Sequence, residues 1–406
     1  MTNLRLCAIA ALLALAALGA FPRVAHPLER AAAGERCGTC HPKQRTLHEE
    51  GIHARDGVGC VGCHGGVGDA TEAAAAHSGS FKGKLTREAV PAMCASCHAD
   101  VKAMRPYGLS TDQYALYQQS GHGTKLREGD RRVAVCSDCH GAHDIRSPKD
   151  PEARTFVANI AATCGRCHGD AALIRERRLP NVHAEYGKSA HAKALMAHGG
   201  ENAPSCVTCH GVHSAAPPET GTIHTVCGRC HGEQRDAFAN GPHAAGMKAK
   251  NQAECSACHG SHEVKAFEPK DVPLECARCH APMTKGAIVG RRIGREYAAA
   301  AAHVERAAQA VAKASAIPMR TEDHVERLAD ARTHLAEARV AVHTVRLEAI
   351  EEPLRRAGKV ADEIERDLHD RRFVANTWKL LLIVFWFYVL GTAYLVRRAR
   401  QATDQG

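Results

Sequence analysis

Hydrophobic positions follow different patterns in different parts of the chain, and each pattern predicts its own kind of structure. Near the start, Arg5 is followed by the apolar run Leu6–Leu18 and then by small residues as far as Ala25. This order is typical of a secretory signal peptide, which we predict for residues 1–25. An uncleaved N-terminal anchor is the alternative interpretation of the same run.

The most apolar stretch is Trp378–Val396, which holds one charged residue close to its start. Its length matches the ~30 Å hydrocarbon core of a bilayer. Trp378 and Tyr394 suit the two interfaces, and Arg397 and Arg398 follow directly. We therefore predict a transmembrane helix at 378–396 and a cytoplasmic tail at 397–406. A helix buried in a soluble core is the alternative.

Residues 288–376 are rich in Ala, Glu and Arg and carry apolar side chains at helical spacing. The stripe consists of Val325, Leu328, Ala331, Leu335, Ala338, Val342, Val345 and Ile350. Because the residue before a proline is driven out of the α region, helix breaks are predicted at Pro318 and Pro353. We expect a helical hairpin or three-helix bundle over this segment.

Residues 34–284 lack a sustained apolar period and contain only eight aromatic residues. Such a stretch buries little core with its own side chains. Short helices such as Thr111–Ser120, extensive coil and little or no sheet are expected here. Large apolar cofactors would supply the missing interior, and folding would then depend on their attachment.

The stretch Cys136-Ser-Asp-Cys139-His140 identifies the cofactor. Two cysteines three positions apart, followed at once by histidine, form the signature with which two thioethers attach a haem and the histidine binds its iron. The signature occurs nine times, which predicts nine covalently attached haem c groups. Its members are Cys37, Cys40 and His41; Cys60, Cys63 and His64; Cys94, Cys97 and His98; Cys136, Cys139 and His140; Cys164, Cys167 and His168; Cys206, Cys209 and His210; Cys227, Cys230 and His231; Cys255, Cys258 and His259; and Cys276, Cys279 and His280.

Zinc knuckles and redox disulfides also use paired cysteines. Neither requires a histidine directly after each pair, and all nine pairs have one. The nine motifs use eighteen of the nineteen cysteines, and the other, Cys7, lies in the predicted signal peptide. The pattern therefore favours haem.

The nonahaem region, residues 34–284, contains an internal repeat that nominates the second iron ligands. Each unit has an upstream histidine, a first motif continuing into His-Gly-x-His, and a second motif. The first unit diverges, with His64-Gly-Gly, and His77 is a candidate for the missing role. The distal candidates are His53, His77, His122, His143, His191, His213, His243 and His262. A surface or supporting histidine is the alternative at each position.

His143 follows His140 too closely to bind the same iron. Three residues span at most about 10–11 Å, whereas two histidines on opposite faces of one haem need Cα atoms on the order of 12–13 Å apart. We expect His143 to serve a neighbouring haem, so that haems lie in close contact. The ninth distal ligand is open among His48, His183, His198, His224 and His343, of which His343 lies beside the apolar stripe.

The formal charge of +9 raises the possibility of nucleic-acid binding. Haem propionates offer a different explanation, because a bis-histidine haem carries about −1 when ferric and −2 when ferrous. The Lys and Arg excess then largely compensates the cofactors within the protein, and we expect no nucleic-acid partner.

The Cys-x-x-Cys-His-Gly-x-His units, with Tyr117–His122 and Tyr186–His191 as Tyr-x-x-Ser-x-His, resemble the multihaem, class III-like cytochromes c of anaerobic respiratory chains. The resemblance covers residues 35–285 and extends loosely to the helical segment and anchor. It implies bis-histidine haems of low potential in stacked and perpendicular pairs. It also implies redox partner proteins: a membrane quinol-oxidising subunit and a periplasmic acceptor.

Together these patterns predict a mainly α fold with extensive coil. A haem-organised cytochrome c domain is followed by a helical bundle and one C-terminal membrane helix. We expect a membrane-anchored electron carrier on the periplasmic side of a bacterial inner membrane, and no catalytic residues. A multihaem reductase of small nitrogen or sulfur oxyanions, with one high-spin haem, is the alternative. Such enzymes often carry a motif ending in Lys, whereas all nine motifs here end in His.

Overall fold

The computed structural model describes residues 35–197, 203–219, 222–250, 252, 254–317 and 319–403. The predicted signal peptide lies outside the described residues. The chain divides into two compact units, Met1–Pro217 and Pro218–Gly406. The described residues form helices and coil without strands, which confirms the predicted mainly α fold class.

The first unit consists of short helices joined by coil. They are α1 Cys37–Cys40, α2 Pro42–Glu49, α3 Ile52–Arg55, α4 Cys60–His64, α5 Ala73–Ala76, α6 Ala89–His98, α7 Val101–Met104, α8 Gln113–Gln119, α9 Gly121–Arg127, α10 Cys136–His140, α11 Ile160–His168, α12 Ala171–Arg177, α13 Val182–Lys188, α14 Ala190–Ala197 and α15 Cys206–His210, with 3₁₀ turns at Arg105–Tyr107 and Val157–Asn159. The helix predicted at Thr111–Ser120 is therefore present as α8.

The second unit begins with short helices of the same kind and ends in long ones. The short helices are α16 Ile223–Cys227, α17 Gly232–Ala239, α18 Pro242–Ala249, α19 Glu254–His259 and α20 Val272–Ala277, with a 3₁₀ turn at Pro269–Asp271. The long helices are α21 Lys285–Ser315, α22 Glu322–Ala341 and α23 Leu347–Thr403, with a 3₁₀ turn at Val342–Thr344.

Buried apolar side chains are concentrated in the long helices. In the first unit the buried apolar residues include Met104, Leu126, Val135, Ala153, Ala192 and Leu195. In the second unit, two continuous clusters of buried residues join α21, α22 and α23. The short-helix region therefore has little core of its own side chains, as its composition suggested.

Ion pairs between the long helices fix how they run. Arg292 of α21 lies 2.6 Å from Glu351 of α23, and His303 lies 3.1 Å from Asp362, so these two helices are parallel. Arg356 of α23 lies 2.8 Å from Glu337 of α22, whereas Arg371 lies 3.1 Å from Asp323, so α22 is antiparallel to α23. The result is a three-helix bundle.

Two details of the predicted bundle are wrong. The break expected at Pro353 is absent, because this proline lies inside α23 as its seventh residue, and the helix continues through it with one backbone N–H donor fewer. The chain turns instead at Val342–Arg346, where Val345 adopts a left-handed conformation with φ of 53°. Val325 of the predicted stripe is 54 % exposed, while Leu328, Ala331 and Ala338 are buried.

Helix α23 continues from the bundle through the predicted membrane segment without interruption. It is long and apolar enough to cross a membrane, and the apolar window is not covered by other parts of the protein. This helix is a candidate membrane anchor.

Candidate haem sites

Seven Cys-x-x-Cys-His motifs form one helical turn or the end of a longer helix. At Cys227 and Cys276 the helix ends at or just after the first cysteine, and a turn carries the rest of the motif. After the first motif of each unit, a glycine adopts a positive φ: Gly65 at 66°, Gly141 at 89°, Gly211 at 85° and Gly260 at 79°. Other residues rarely adopt this conformation. The glycine of the Cys-x-x-Cys-His-Gly motif is therefore required by the turn that ends the motif helix.

Seven motif histidines face the ring of a second histidine at a nearly constant distance. Ring centroids lie 6.0–6.2 Å apart in the pairs His41–His77, His53–His98, His64–His143, His122–His168, His140–His213, His243–His280 and His259–His343. Two imidazoles on one iron place their centroids about 6 Å apart, because each nitrogen lies about 2 Å from the metal and about 1 Å from its ring centre. Rings in direct contact are closer, as His77 and Phe81 are at 4.4 Å.

Every pair combines one motif histidine with one histidine from outside the motifs. Two rules describe the pairing. The upstream histidine of a unit faces the second motif of the same unit, as His122 faces His168. The last histidine of His-Gly-x-His in one unit faces the first motif of the unit before it, as His213 faces His140. His143 accordingly faces His64 and not its near neighbour His140.

His77 and His343 extend the second pairing rule to the start and to the end of the repeat. His77 faces His41 of the single motif that precedes the repeat, which is the place that the later histidine takes in other units. His343 faces His259, although it lies beyond the motifs in the turn between α22 and α23. By the same two rules, His191 would face His231 and His262 would face His210. The role of these four histidines as ligands stays a prediction from the repeat.

The other histidines considered for the ninth position have different surroundings. His48 Nε2 lies 2.8 Å from the carbonyl of Val58, which it faces as a donor. His224 Nδ1 lies 2.5 Å from Glu254 Oε2. The His183 ring packs over Gly165, where an added Cβ would lie 2.5 Å from it. His198 lies outside the described residues.

Backbone carbonyls orient several of the paired rings. His64 Nδ1 lies 3.1 Å from the carbonyl of Gly83, His259 Nδ1 lies 2.9 Å from that of Lys265, and His343 Nδ1 lies 3.1 Å from that of Val340. A carbonyl accepts from Nδ1–H, which leaves the Nε2 lone pair for a metal. These contacts select the tautomer that an iron ligand needs.

Burial favours the neutral form of several of the paired imidazoles. Burial, followed by the nearby His213 ring, lowers the pKa of His140 to about 4. Burial is also the main cause of the lowered pKa values of His53, His122, His213 and His343. Only the neutral ring binds iron. At neutral pH these rings therefore do not have to lose a proton before they bind the metal.

Sequence reasoning did not explain the Tyr-x-x-Ser-x-His element, and the structure does. Tyr117 donates to the carbonyl of Ala134 at 2.9 Å, and Tyr186 donates to that of Pro204 at 2.8 Å; both carbonyls lie just before a motif. The buried Ser120 accepts from the N–H of Gly123 at 3.0 Å and caps α9, the helix that carries His122. The element therefore fixes a motif and a distal histidine relative to each other.

Several motifs that are neighbours in sequence are also neighbours in space, both within one repeat and between successive repeats. The thiols of Cys94 and Cys136 lie next to each other, as do those of Cys164 and Cys206, and those of Cys227 and Cys255. Arg166 donates to the carbonyl of Asp138, and Arg278 lies 3.4 Å from that of Cys258. The arginine before the second cysteine of a motif thus contacts the preceding motif, a role that its repeat position could have revealed.

The motif surroundings fit haem better than zinc or disulfides. All eighteen motif cysteines are free thiols. Across the described part of the chain, the side chains close enough to share a bare metal ion are Glu35, Cys37 and Cys60, which is short of the four ligands of a zinc knuckle. Apolar side chains beside the motifs are open to solvent, including Val212 at 66 %, Leu274 at 69 % and Met283 at 83 %. An open hollow of about 710 Å³ lies beside the Cys94 motif, between Ala95 and Arg105. A porphyrin would cover such surfaces.

Comparison with known families supports the same cofactor. Residues 126–173, which include the Cys136 and Cys164 motifs, match the doubled CXXCH motif family. No curated protein and no solved structure matches the chain. The doubled motif indicates a multihaem c-type cytochrome that takes part in electron transfer.

Proposed function

We propose that this chain is a membrane-anchored nonahaem cytochrome c that conducts electrons through bis-histidine haems. The observation that carries the proposal is the set of seven histidine pairs at 6.0–6.2 Å, each placed opposite the imidazole of a haem-attachment motif. Bound haem supplies reversible one-electron chemistry at its iron.

The residues of the chain have three tasks in this proposal. The eighteen motif cysteines would hold the porphyrins as thioethers, and each of the nine motif histidines would bind one iron. The distal histidines would supply the second histidine ligand, and His343 would do so for the haem of His259. An iron held by two histidines has no place for a small substrate, which favours electron transfer over a reductase.

The order of the motifs supports passage of electrons in chain order. Thiol contacts and arginine contacts join consecutive motifs, as in Cys94 with Cys136 and Arg278 with Cys258. By the repeat, His191 and His262 complete the set of distal ligands. The domains of this proposal are a haem region at 34–284, a helical segment at 288–376 and an anchor at 378–396.

The location follows from chemistry and from the anchor. Haem c is attached outside the cytoplasm, which agrees with a signal peptide at 1–25, and the arginines at 397–400 agree with a cytoplasmic tail. The haem region would then lie on the periplasmic side of the inner membrane. Its partners would be a quinol-oxidising membrane protein and a periplasmic acceptor in anaerobic respiration.

Expression in a bacterium with a cytochrome c maturation system tests the proposal. We expect a membrane-bound product whose haem remains attached after denaturation, and whose oxidised and reduced optical spectra are those of low-spin c-type haem. A product without covalent haem, or one dominated by high-spin haem, would contradict it.

A further inference from the structure

The three-helix bundle holds haem ligands at one end and the candidate membrane helix at the other. His343 lies in the turn before α23, next to Val342, Val345 and Leu347, which pack against Ile350 and Leu354 of that helix. The haem partner His259 faces it. This ligand pair therefore lies beside the first turns of α23.

The ninth motif is attached at the same end. A Cβ added to Gly290 of α21 would lie 2.5 Å from Cys276 Sγ, and one added to Gly286 would lie 2.5 Å from the ring of His280. Arg292, only two residues further along α21, pairs with Glu351 of α23. The Cys276 motif and the His343 turn thus share one level of the bundle.

The rest of α23 separates this level from the membrane segment. The 24 residues from Leu354 to Trp378 span about 36 Å, because an α-helix rises about 1.5 Å per residue. The bundle along this distance has no cysteine. Its histidines pair with carboxylates, His303 with Asp362 at 3.1 Å and His324 with Asp367 at 2.8 Å. The described part of the bundle therefore contains no further haem-attachment motif that could bridge the gap.

The bundle contacts with α23 end before the membrane. Leu368 is the last buried residue, and Arg371 pairs with Asp323 at the start of α22. The described side chains from Arg372 to Lys379 are exposed. Residues 372–379 of α23 thus connect the bundle to the apolar segment as an exposed stretch of helix, which we call the neck.

From this geometry we infer that quinol dissolved in the bilayer does not reduce the haems of the second unit, and that their donor or acceptor outside this chain is a redox protein whose own cofactor reaches the level of the His259–His343 pair, up to about 36 Å along α23 from Trp378. Electron tunnelling falls off steeply with distance, and a lipid-bound quinol at the level of Trp378 is too far from the ligand pair His259–His343. The inference rests on the proposed function. It assigns the bundle the role of a spacer that sets the height at which a partner protein must dock.

The distance between the haems of the second unit and the membrane end of α23 is measurable with fluorescent labels. Haem attachment uses the motif cysteines, so a single introduced cysteine can carry a dye in the full-length holoprotein in lipid nanodiscs. Haem quenches a nearby dye, and the quenching falls steeply with distance. We expect strong quenching for a dye at Met283→Cys, beside the ninth motif, and clearly weaker quenching at Thr377→Cys in the neck. Equal quenching at both positions would overturn the inference.

Reduction kinetics test the partner class. In nanodiscs loaded with a menaquinol analogue, we expect the full-length protein to be reduced no faster than in discs without quinol. A small soluble reduced cytochrome should reduce it at least tenfold faster. Rapid reduction by quinol alone would overturn the inference. Loss of the proposed function itself would look different, because dithionite would then produce no haem spectrum in either preparation.

Discussion

The imidazole rings of His259 and His343 lie 6.2 Å apart with their planes 18° apart, although one belongs to a haem-attachment motif and the other to the helical bundle. In the first two units, the partner of the first motif comes from the next repeat, His143 for His64 and His213 for His140. The last repeat has no successor. The turn between α22 and α23 provides the equivalent histidine, so the bundle contributes a residue to this candidate haem site.

Substitution of this ligand should open one iron. We expect His343→Ala to convert one low-spin haem per chain to a high-spin haem that binds carbon monoxide, because the His259 haem loses its second axial ligand. Electron paramagnetic resonance and carbon monoxide difference spectra measure this change.

His334→Ala is the matched control, since His334 lies on α22 and pairs with Glu337 at 3.0 Å. It should leave all haems low-spin. An unchanged spectrum in His343→Ala would show that His343 is not a ligand.

The pairing of His143 can be assigned by removing haems. His143→Ala should also create one high-spin haem. Adding Cys60→Ala and Cys63→Ala should abolish that signal, because the His64 haem is then missing. Adding Cys136→Ala and Cys139→Ala should leave it in place. The opposite pattern would assign His143 to His140 and contradict the ring geometry.

Ring orientation predicts two spectroscopic classes of haem. The planes are 15–18° apart in the pairs of His64, His140 and His259, and 42–54° apart in those of His41, His98, His168 and His280. Two near-parallel imidazoles act on the same one of two iron d orbitals, so the two orbitals differ in energy. Tilted imidazoles act on both orbitals and leave them closer in energy. Tilted sites should therefore show greater g anisotropy in the oxidised protein.

Removing one motif at a time tests which haem belongs to which class. Loss of Cys60 and Cys63 should weaken the less anisotropic signals, and loss of Cys94 and Cys97 the more anisotropic ones. If both variants weaken the same class, ring orientation does not distinguish the sites.

Gly290 should resist substitution because its helix approaches the ninth motif closely. Alanine ordinarily stabilises a helix over glycine by about 1 kcal/mol. At Gly290 the added Cβ would meet Cys276 Sγ at 2.5 Å, so we expect Gly290→Ala to destabilise the holoprotein by about 1–3 kcal/mol. Gly358→Ala, whose Cβ would meet nothing closer than 3.8 Å, should be neutral or stabilising. Thermal unfolding compares the two, and equal effects would count against the close approach.

The buried His324 should make Asp367 important for the bundle. His324 is 0 % exposed and its Nε2 lies 2.8 Å from Asp367 Oδ2. Asp367→Ala leaves that group without its partner, which costs about 1–3 kcal/mol. Asp370→Ala, at an 80 % exposed carboxylate, should change the free energy of unfolding little. Denaturant unfolding monitored by helical circular dichroism distinguishes them, and equal stabilities would remove Asp367 from this role.

The same carboxylate gives the bundle a pH dependence. Burial raises the pKa of Asp367, but hydrogen bonds from Arg371 and His324 outweigh it, so the net pKa lies below its usual value. A lowered folded-state pKa means that the stabilisation is present at neutral pH and is lost as the pH falls through that pKa. The stability difference between the wild type and Asp367→Ala should therefore shrink in acid.

Much of the candidate site could be predicted from local sequence, because the spacing of a motif and the distance that a short loop can span are local properties. The signature predicts the attachment residues, and the short distance between His140 and His143 predicts that His143 faces a different motif, as it does in the structure. The partner of His343 was not readable, since it depends on how α22 and α23 turn and dock. The continuity of α23 through Pro353 was also missed, because a proline near a helix start reads like a helix break.

The measurement that tests the central claim most directly is the mass of the exported, purified chain after denaturation, together with its iron and haem content. Covalent attachment of nine haems to the chain without residues 1–25 predicts one dominant mass, nine irons per chain and no zinc. A chain without attached haem, or one carrying zinc or disulfides in the motifs, would contradict the account.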